Sequence, residues 1–144
     1  MSENWAELLP TARSVHDVLG IEMEEVTPDR VVLRLDVNPT VHQPYGLLHG
    51  GVSALLAEGA ASIGGAVSVG PDQVVVGTEL NCSHLRAVRS GVIRAVATPI
   101  RKGRTVQVWS ITISDDRDRA ICVARCSLQV LAAPREHPAT DATA

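Results

Sequence analysis

Between positions 30 and 37 the chain alternates, with Val31, Leu33, Leu35 and Val37 on one side and Val32, Arg34 and Asp36 on the other. That period of two is the signature of a strand with one buried face. Residues 21–26 form a companion run, joined to it by the turn Thr27-Pro28-Asp29. Beyond Pro71, four more strand-like runs follow at 74–85, 91–100, 105–114 and 120–130. Arg101-Lys102-Gly103 separates the second from the third, and Asp115-Asp116-Arg117-Asp118 the third from the fourth. Short turns between consecutive strands imply a largely antiparallel sheet. Residues 4–19 read as one or two short helices with Trp5, Leu8, Val15, Val18 and Leu19 on the apolar side, broken by Pro10 and ended by Gly20.

One stretch has a different period. In residues 43–66 the large apolar side chains fall at Val52, Leu55, Leu56 and Ile63, continuing to Val67, which is helical spacing. Val69-Gly70-Pro71 is a stop signal. A second face, Gly51, Ala54, Glu58, Ala61, Ser62 and Gly65, is small residues around a single carboxylate. Small side chains admit another backbone or a flat ligand. A long helix laid on an antiparallel sheet is an α+β architecture.

Bulk properties narrow the choice. The chain has 144 residues, suited to one domain, with 1–133 as its body and 134–144 as a polar tail without apolar rhythm. The core is aliphatic, because there is no Phe, one Tyr and two Trp. A net charge of −3 argues against a nucleic-acid partner. No apolar run reaches the length of a membrane span, and the start Met-Ser-Glu-Asn-Trp lacks the pattern of a secretory leader. Cys82, Cys122 and Cys126 sit in strand-like segments, as reduced buried thiols of a cytoplasmic protein would. No further Cys or His stands at zinc-ligand spacing, so neither a metal nor a cofactor is expected.

The candidate chemistry lies at the start of the long helix. His49-Gly50-Gly51 occupies the position where free N–H groups and the positive end of the helix dipole face outward. Glycines leave those donors open to an anion, such as the oxyanion formed from a carbonyl. The segment Gln43-Pro44-Tyr45-Gly46-Leu47-Leu48-His49-Gly50-Gly51, with Ala57-Glu58 and Ser62 after it, resembles the signature of hotdog-fold acyl-CoA thioesterases. Val75-Val76-Gly77-Thr78-Glu79-Leu80-Asn81, His84-Leu85-Arg86 and Gln107-Val108-Trp109 fit the same pattern, and the likeness extends from about Leu19 to Leu131. It is strongest to the branch acting on aryl-CoA thioesters, such as 1,4-dihydroxy-2-naphthoyl-CoA, hydroxybenzoyl-CoA or phenylacetate-pathway esters. The resemblance implies a curved antiparallel sheet wrapped around one central helix. It also implies sites at the interface of paired subunits, in a tetramer built from two dimers.

Spacing leads independently to a shared site. Glu58 lies eight residues after Gly50, roughly 12 Å along a helix axis. One thioester carbonyl cannot touch both, so if both serve one reaction they come from different subunits. In that scheme the Gly50 N–H holds the thioester oxygen, and Glu58 either attacks the carbonyl or activates a water. Ser62, one turn beyond Glu58, orients that water. The resemblance implies that Gln43 and His49 position the acyl carbonyl. It also implies CoA contacts near His84 and Arg86 and around Arg101, Lys102, Gly103 and Arg104.

Each residue also has a plainer reading. Alone, Glu58 is a solvated helix residue, His49 a capping histidine and Ser62 a packing residue, while 101–104 is a charged hairpin turn. Two other functions fit the same fold, since fold does not fix function. One is a hydratase or dehydratase, whose usual His-rich motif is absent here. The other is a non-catalytic acyl-CoA binder, which would have no use for Glu58.

Overall fold

The structure, a computed structural model, describes residues 14–134. The expected helix over residues 4–13 and the tail from 135 onward lie outside the described residues. The elements in chain order are α1 (Val15–Leu19), β1 (Glu22–Val26), β2 (Val31–Val37), α2 (Gly50–Ala66), β3 (Gln73–His84), β4 (Gly91–Lys102), β5 (Val106–Ser114) and β6 (Ala120–Ala132). A single 3-10 turn, Pro39–Val41, interrupts the loop before α2. Every strand expected from the alternation is present, with ends displaced by one or two residues. Gly20 ends α1 in the left-handed conformation, φ 71°, where glycine carries no steric penalty.

The six strands form one antiparallel curved sheet in the order β1-β2-β4-β5-β6-β3. The helix α2 packs against its concave face and touches β2 through β6. This is the hotdog architecture implied by the resemblance. The core between the layers comes mainly from the sheet: Leu33 and Leu35 of β2, Ile93 of β4, Trp109, Ile111 and Ile113 of β5, and Leu128 of β6.

The helix meets this core mainly with small residues around Leu56, flanked by Val52 and Ile63. Ser53, Leu56, Ala57, Ala60, Ala61, Gly64 and Gly65 are the buried positions, whereas Val52, Leu55, Ile63 and Val67 are only half-buried. The cause is steric. Trp109 and Leu128 rise from the sheet and leave no room for side chains above them. A Cβ at Gly64 would lie 2.5, 2.7 and 3.1 Å from three atoms of the Trp109 ring, and one at Gly65 would lie 2.5 Å from Leu128 Cδ1. The sheet supplies the volume, so the helix must be thin there. Trp109 is further fixed by its Nε1–H, which donates to Gln107 Oε1 at 3.0 Å in the buried interior.

β3 differs from the other strands. It is the last in the sheet order and pairs only with β6, and most of its residues are exposed. Its other edge is unpaired among the described residues of the chain, and a register shift between Gly77 and Glu79 bends it.

Candidate active site

The loop of residues 38–49 is built to present the start of α2. Asn38 caps its 3-10 turn by accepting the Thr40 N–H at 2.9 Å. The Gln43 N–H donates to Leu47 O at 2.8 Å, and the Gly46 N–H to Gln43 O at 3.0 Å. Gly46 has φ 73°, so this tight turn calls for glycine. The side-chain oxygen of Gln43 accepts the Tyr45 N–H and is held inside the same turn. Two further bonds, Leu48 N–H to Val88 O at 2.7 Å and His49 N–H to Val41 O at 2.9 Å, lash the loop to the body.

His49 is the N-cap of α2, and its Nδ1 accepts the Gly51 N–H at 2.8 Å. With Nδ1 accepting, the ring proton of neutral His49 resides on Nε2. The capping bond uses the Gly51 donor and leaves the Gly50 N–H with no acceptor among the described residues. That free donor stands at the positive end of the helix. Gly50 lines a cleft of about 360 Å³ together with Gln43, Ser53, His84, Arg86 and Ile121. The His84 ring closes over Gly50, with Nε2 3.0 Å from where a Cβ would stand. Bonds from the Leu85 and Arg86 N–H groups to Ile121 O, at 2.7 and 3.3 Å, fix the segment that carries His84 and Arg86.

Four of the expected residues, Gln43, Gly50, His84 and Arg86, thus meet in one place, and His49 organises it from the outside. Glu58 and Ser62 do not join them within the chain. Eight residues of helix separate Gly50 from Glu58, about 12 Å of rise. The half-buried Glu58 carboxylate lies over Gly77 of β3, its Cδ 3.1 Å from where a Gly77 Cβ would be. Among the described residues it has no hydrogen-bond or ion-pair partner. Arg101 and Lys102 end β4 and Gly103 and Arg104 begin the turn to β5, whereas the cleft lies beyond the opposite end of β4, near Val88. Lys102 is engaged there, its Nζ donating to Asp29 Oδ1 at 2.6 Å and Pro28 O at 3.0 Å. Ser53, 2% exposed and one turn into α2, lines the cleft without having stood out in the sequence. Its position three residues after Gly50 was the only available signal.

The cysteines are poor nucleophiles. Burial, with the nearby charges of Glu58 and Glu79 adding to it, pushes the Cys126 thiol up to about 11. Burial first, then Cys82, raises Cys122 to about 11, and burial also raises Cys82. Among the described residues no group of three or more His, Cys, Asp and Glu side chains is arranged to hold a metal ion. A second cleft, of about 350 Å³, is lined by Glu24, Arg94, Asp115, Asp116 and Asp118. Two of its carboxylates are paired locally: Arg94 grips Glu24 at 2.7 and 2.9 Å, and Arg119 grips Asp115 at 2.8 and 2.7 Å.

The sequence profile of the thioesterase superfamily matches residues 45–122, which take in the end of the cleft loop, all of α2 and β3, the strand that carries Gly77 and His84. The chain belongs to the thioesterase superfamily. It is 44% identical over 116 residues to a 1,4-dihydroxy-2-naphthoyl-CoA hydrolase of Listeria monocytogenes, covering 81% of this chain and 94% of that one. It is 43% identical over 113 residues to the proofreading thioesterase EntH of Cronobacter turicensis, covering 78% and 82%. Among solved structures, a thioesterase from Haemophilus influenzae superposes with a TM-score of 0.85 at 38% identity, covering 96% of this chain and 95% of that one. This hotdog protein is therefore an enzyme of the thioester-hydrolase class, and the hydratase and binder readings give way to it. No helix among its described residues is long and apolar enough to cross a membrane.

Proposed function

We propose that this thioesterase hydrolyses acyl-CoA esters with aromatic acyl groups, in a site completed by two copies of the chain. The observation that carries the reading is a pair of unsatisfied groups on one helix: the free Gly50 N–H in the cleft and the unpartnered Glu58 carboxylate about 12 Å away. Each lacks in its own protomer the counterpart that the reaction needs. Glu58 lies against β3, the strand at the open edge of the sheet, which a second copy can approach with its own Gly50 end. A twofold pairing would create two equal sites. Two such dimers form the tetramer.

In this site the thioester carbonyl accepts from the Gly50 N–H, and negative charge grows on its oxygen as the carbonyl carbon is attacked. One donor of this kind lowers the barrier by about 3–4 kcal/mol. The partner's Glu58 is the nucleophile, giving a mixed anhydride that water then cleaves, or the base that removes a proton from the attacking water. CoA leaves as the thiol. Ser62 stands one turn from Glu58 and orients the water. Gln43 and His49 keep the loop and Gly50 in place. His84 and Arg86 at the cleft contact the CoA phosphates; Arg101 and Arg104, in the turn at the far end of β4, reach them only from another copy of the chain, and Gly103 allows that turn. No metal or cofactor takes part. The free thiols suit a reducing compartment, the cytoplasm.

The aromatic preference rests on the 44% identity to the Listeria hydrolase. Thiol release from 1,4-dihydroxy-2-naphthoyl-, 4-hydroxybenzoyl-, phenylacetyl- and octanoyl-CoA tests it. The expected kcat/KM for at least one aryl ester exceeds that for octanoyl-CoA about tenfold or more, the scale that a fitted pocket supplies. Equal or reversed values overturn the aryl assignment.

A further inference from the structure

We propose that Gly77 is a positioning residue for the Glu58 carboxylate: the missing Cβ is the space in which the carboxylate lies. The inference rests on the reading of Glu58 as the catalytic carboxylate. A glycine within a strand weakens it, by roughly 0.5–1 kcal/mol relative to Ala, so its presence calls for a cause. The backbone is not that cause, because the glycines with positive φ are Gly20, Gly46 and Gly91 and do not include Gly77. The cause is close approach. The three atoms nearest to a Cβ at Gly77 all belong to Glu58: Oε1, then Cδ at 3.1 Å and Cγ at 3.5 Å. The carboxylate therefore rests directly on the β3 backbone.

The strand is anchored at this point. Gly77 pairs with Leu128, the register shifts between Gly77 and Glu79, and the Thr78 hydroxyl donates to Ser127 O at 3.1 Å across the shift. With the backbone of β3 fixed and the helix seated on Trp109, an added methyl group has one soft neighbour, the Glu58 side chain. It would turn the carboxylate away from the reacting carbon and leave the cleft of Gln43, Gly50 and His84 untouched. Misplacement by about 1 Å can cost on the order of 100-fold in rate.

The test is Gly77→Ala, measured for kcat, KM and thermal midpoint beside Glu58→Ala and the double variant. Expected is a fall in kcat of about 10- to 100-fold, KM within about threefold, and a midpoint equal to or above wild type. In the Glu58→Ala background the same change should lower the residual rate no further, because the group it displaces is gone. Wild-type kcat in Gly77→Ala overturns the proposal. So does a midpoint lowered by more than about 4 °C, or failure to fold, since either assigns the glycine to the backbone. A full additional loss in the double variant overturns it as well. The two readings fail separately. An inactive Glu58→Ala with a fully active Gly77→Ala removes only the positioning role, whereas a fully active Glu58→Ala removes the catalytic carboxylate itself.

Discussion

Two inactive variants of this chain should make an active enzyme when mixed. Glu58→Ala removes the carboxylate and leaves the Gly50 end intact. Gly50→Pro does the opposite: it deletes the Gly50 N–H, which has no acceptor among the described residues, and proline is well tolerated at the first position of a helix. The added ring atoms would press on His84, whose Nε2 stands 3.0 Å from the Cβ position, but that side chain is exposed and can turn aside. The expected losses are about 100- to 1000-fold for Gly50→Pro and about 1000-fold for Glu58→Ala. After complete exchange of an equal mixture, about half of the twofold dimers are mixed. In each of these, one site carries both defects and the other carries neither. Roughly one site in four is then wild type, so the mixture should recover about a quarter of wild-type turnover. That is at least about 25-fold above either parent, given the losses a missing oxyanion donor causes. Thiol release read over the course of exchange measures the recovery, and native mass spectrometry measures the mixed dimer. Complete exchange with activity still at the parental level would refute the composite site, and with it the argument from helix rise.

Four further outcomes are expected. Gly64→Ala should be destabilising, although alanine normally favours a helix by about 1 kcal/mol, because the methyl group meets a fully buried, hydrogen-bonded Trp109. Overpacking costs about 1–3 kcal/mol, so a midpoint lowered by a few degrees in calorimetry is expected, and a raised one would show that Trp109 yields. Arg86→Ala should raise KM for CoA esters several-fold and leave kcat within about twofold; an unchanged KM removes Arg86 from phosphate contact. The Arg119 guanidinium beside Asp115, with burial opposing it and the Arg119 and Arg117 N–H groups assisting, holds that carboxyl at about 2 against an ordinary 3.8. A lowered value means that the stabilisation is fully present above about pH 4 and is lost as pH falls toward 2, so the midpoint gap between wild type and Asp115→Asn should narrow over that window. A gap independent of pH would contradict this. Prolonged incubation with EDTA should leave the rate unchanged, and a loss restored by one added divalent ion would place a metal in the reaction.

What could be read from the sequence depended on how local the determining physics was. Alternation at Val31, Leu33, Leu35 and Val37 disclosed β2, because a period of two needs no distant partner. The separation of Gly50 from Glu58 followed from helix rise alone. Which face of α2 turns inward was not legible, because hydrophobicity ranks Val52, Leu55 and Ile63 above Ala57, Ala60 and Gly64, while the deciding constraint was the bulk of Trp109 and Leu128 some fifty residues away in the chain. The order of strands was not legible either. That β3 lies outermost, next to β6, depends on long-range pairing, and its exposure follows from that place. Of the site, Gln43, His49, Gly50, His84 and Arg86 could be picked out by motif. The division of labour between the His49-capped Gly51 N–H and the free Gly50 N–H required side-chain positions, as did the seat of Glu58 on Gly77.

The most direct test of the account is the turnover of Glu58→Gln on the best aryl-CoA ester, by thiol release, with the circular dichroism spectrum and thermal midpoint recorded on the same sample. The amide keeps the size of the side chain over Gly77 but can neither attack a carbonyl as a carboxylate does nor take a proton from water at neutral pH. The account predicts a kcat lowered by about 1000-fold or more, KM within a few-fold and an unchanged fold. A kcat within about tenfold of wild type in a folded protein would contradict it, and the chemistry would then belong to other groups in the cleft at the Gly50 end of the helix.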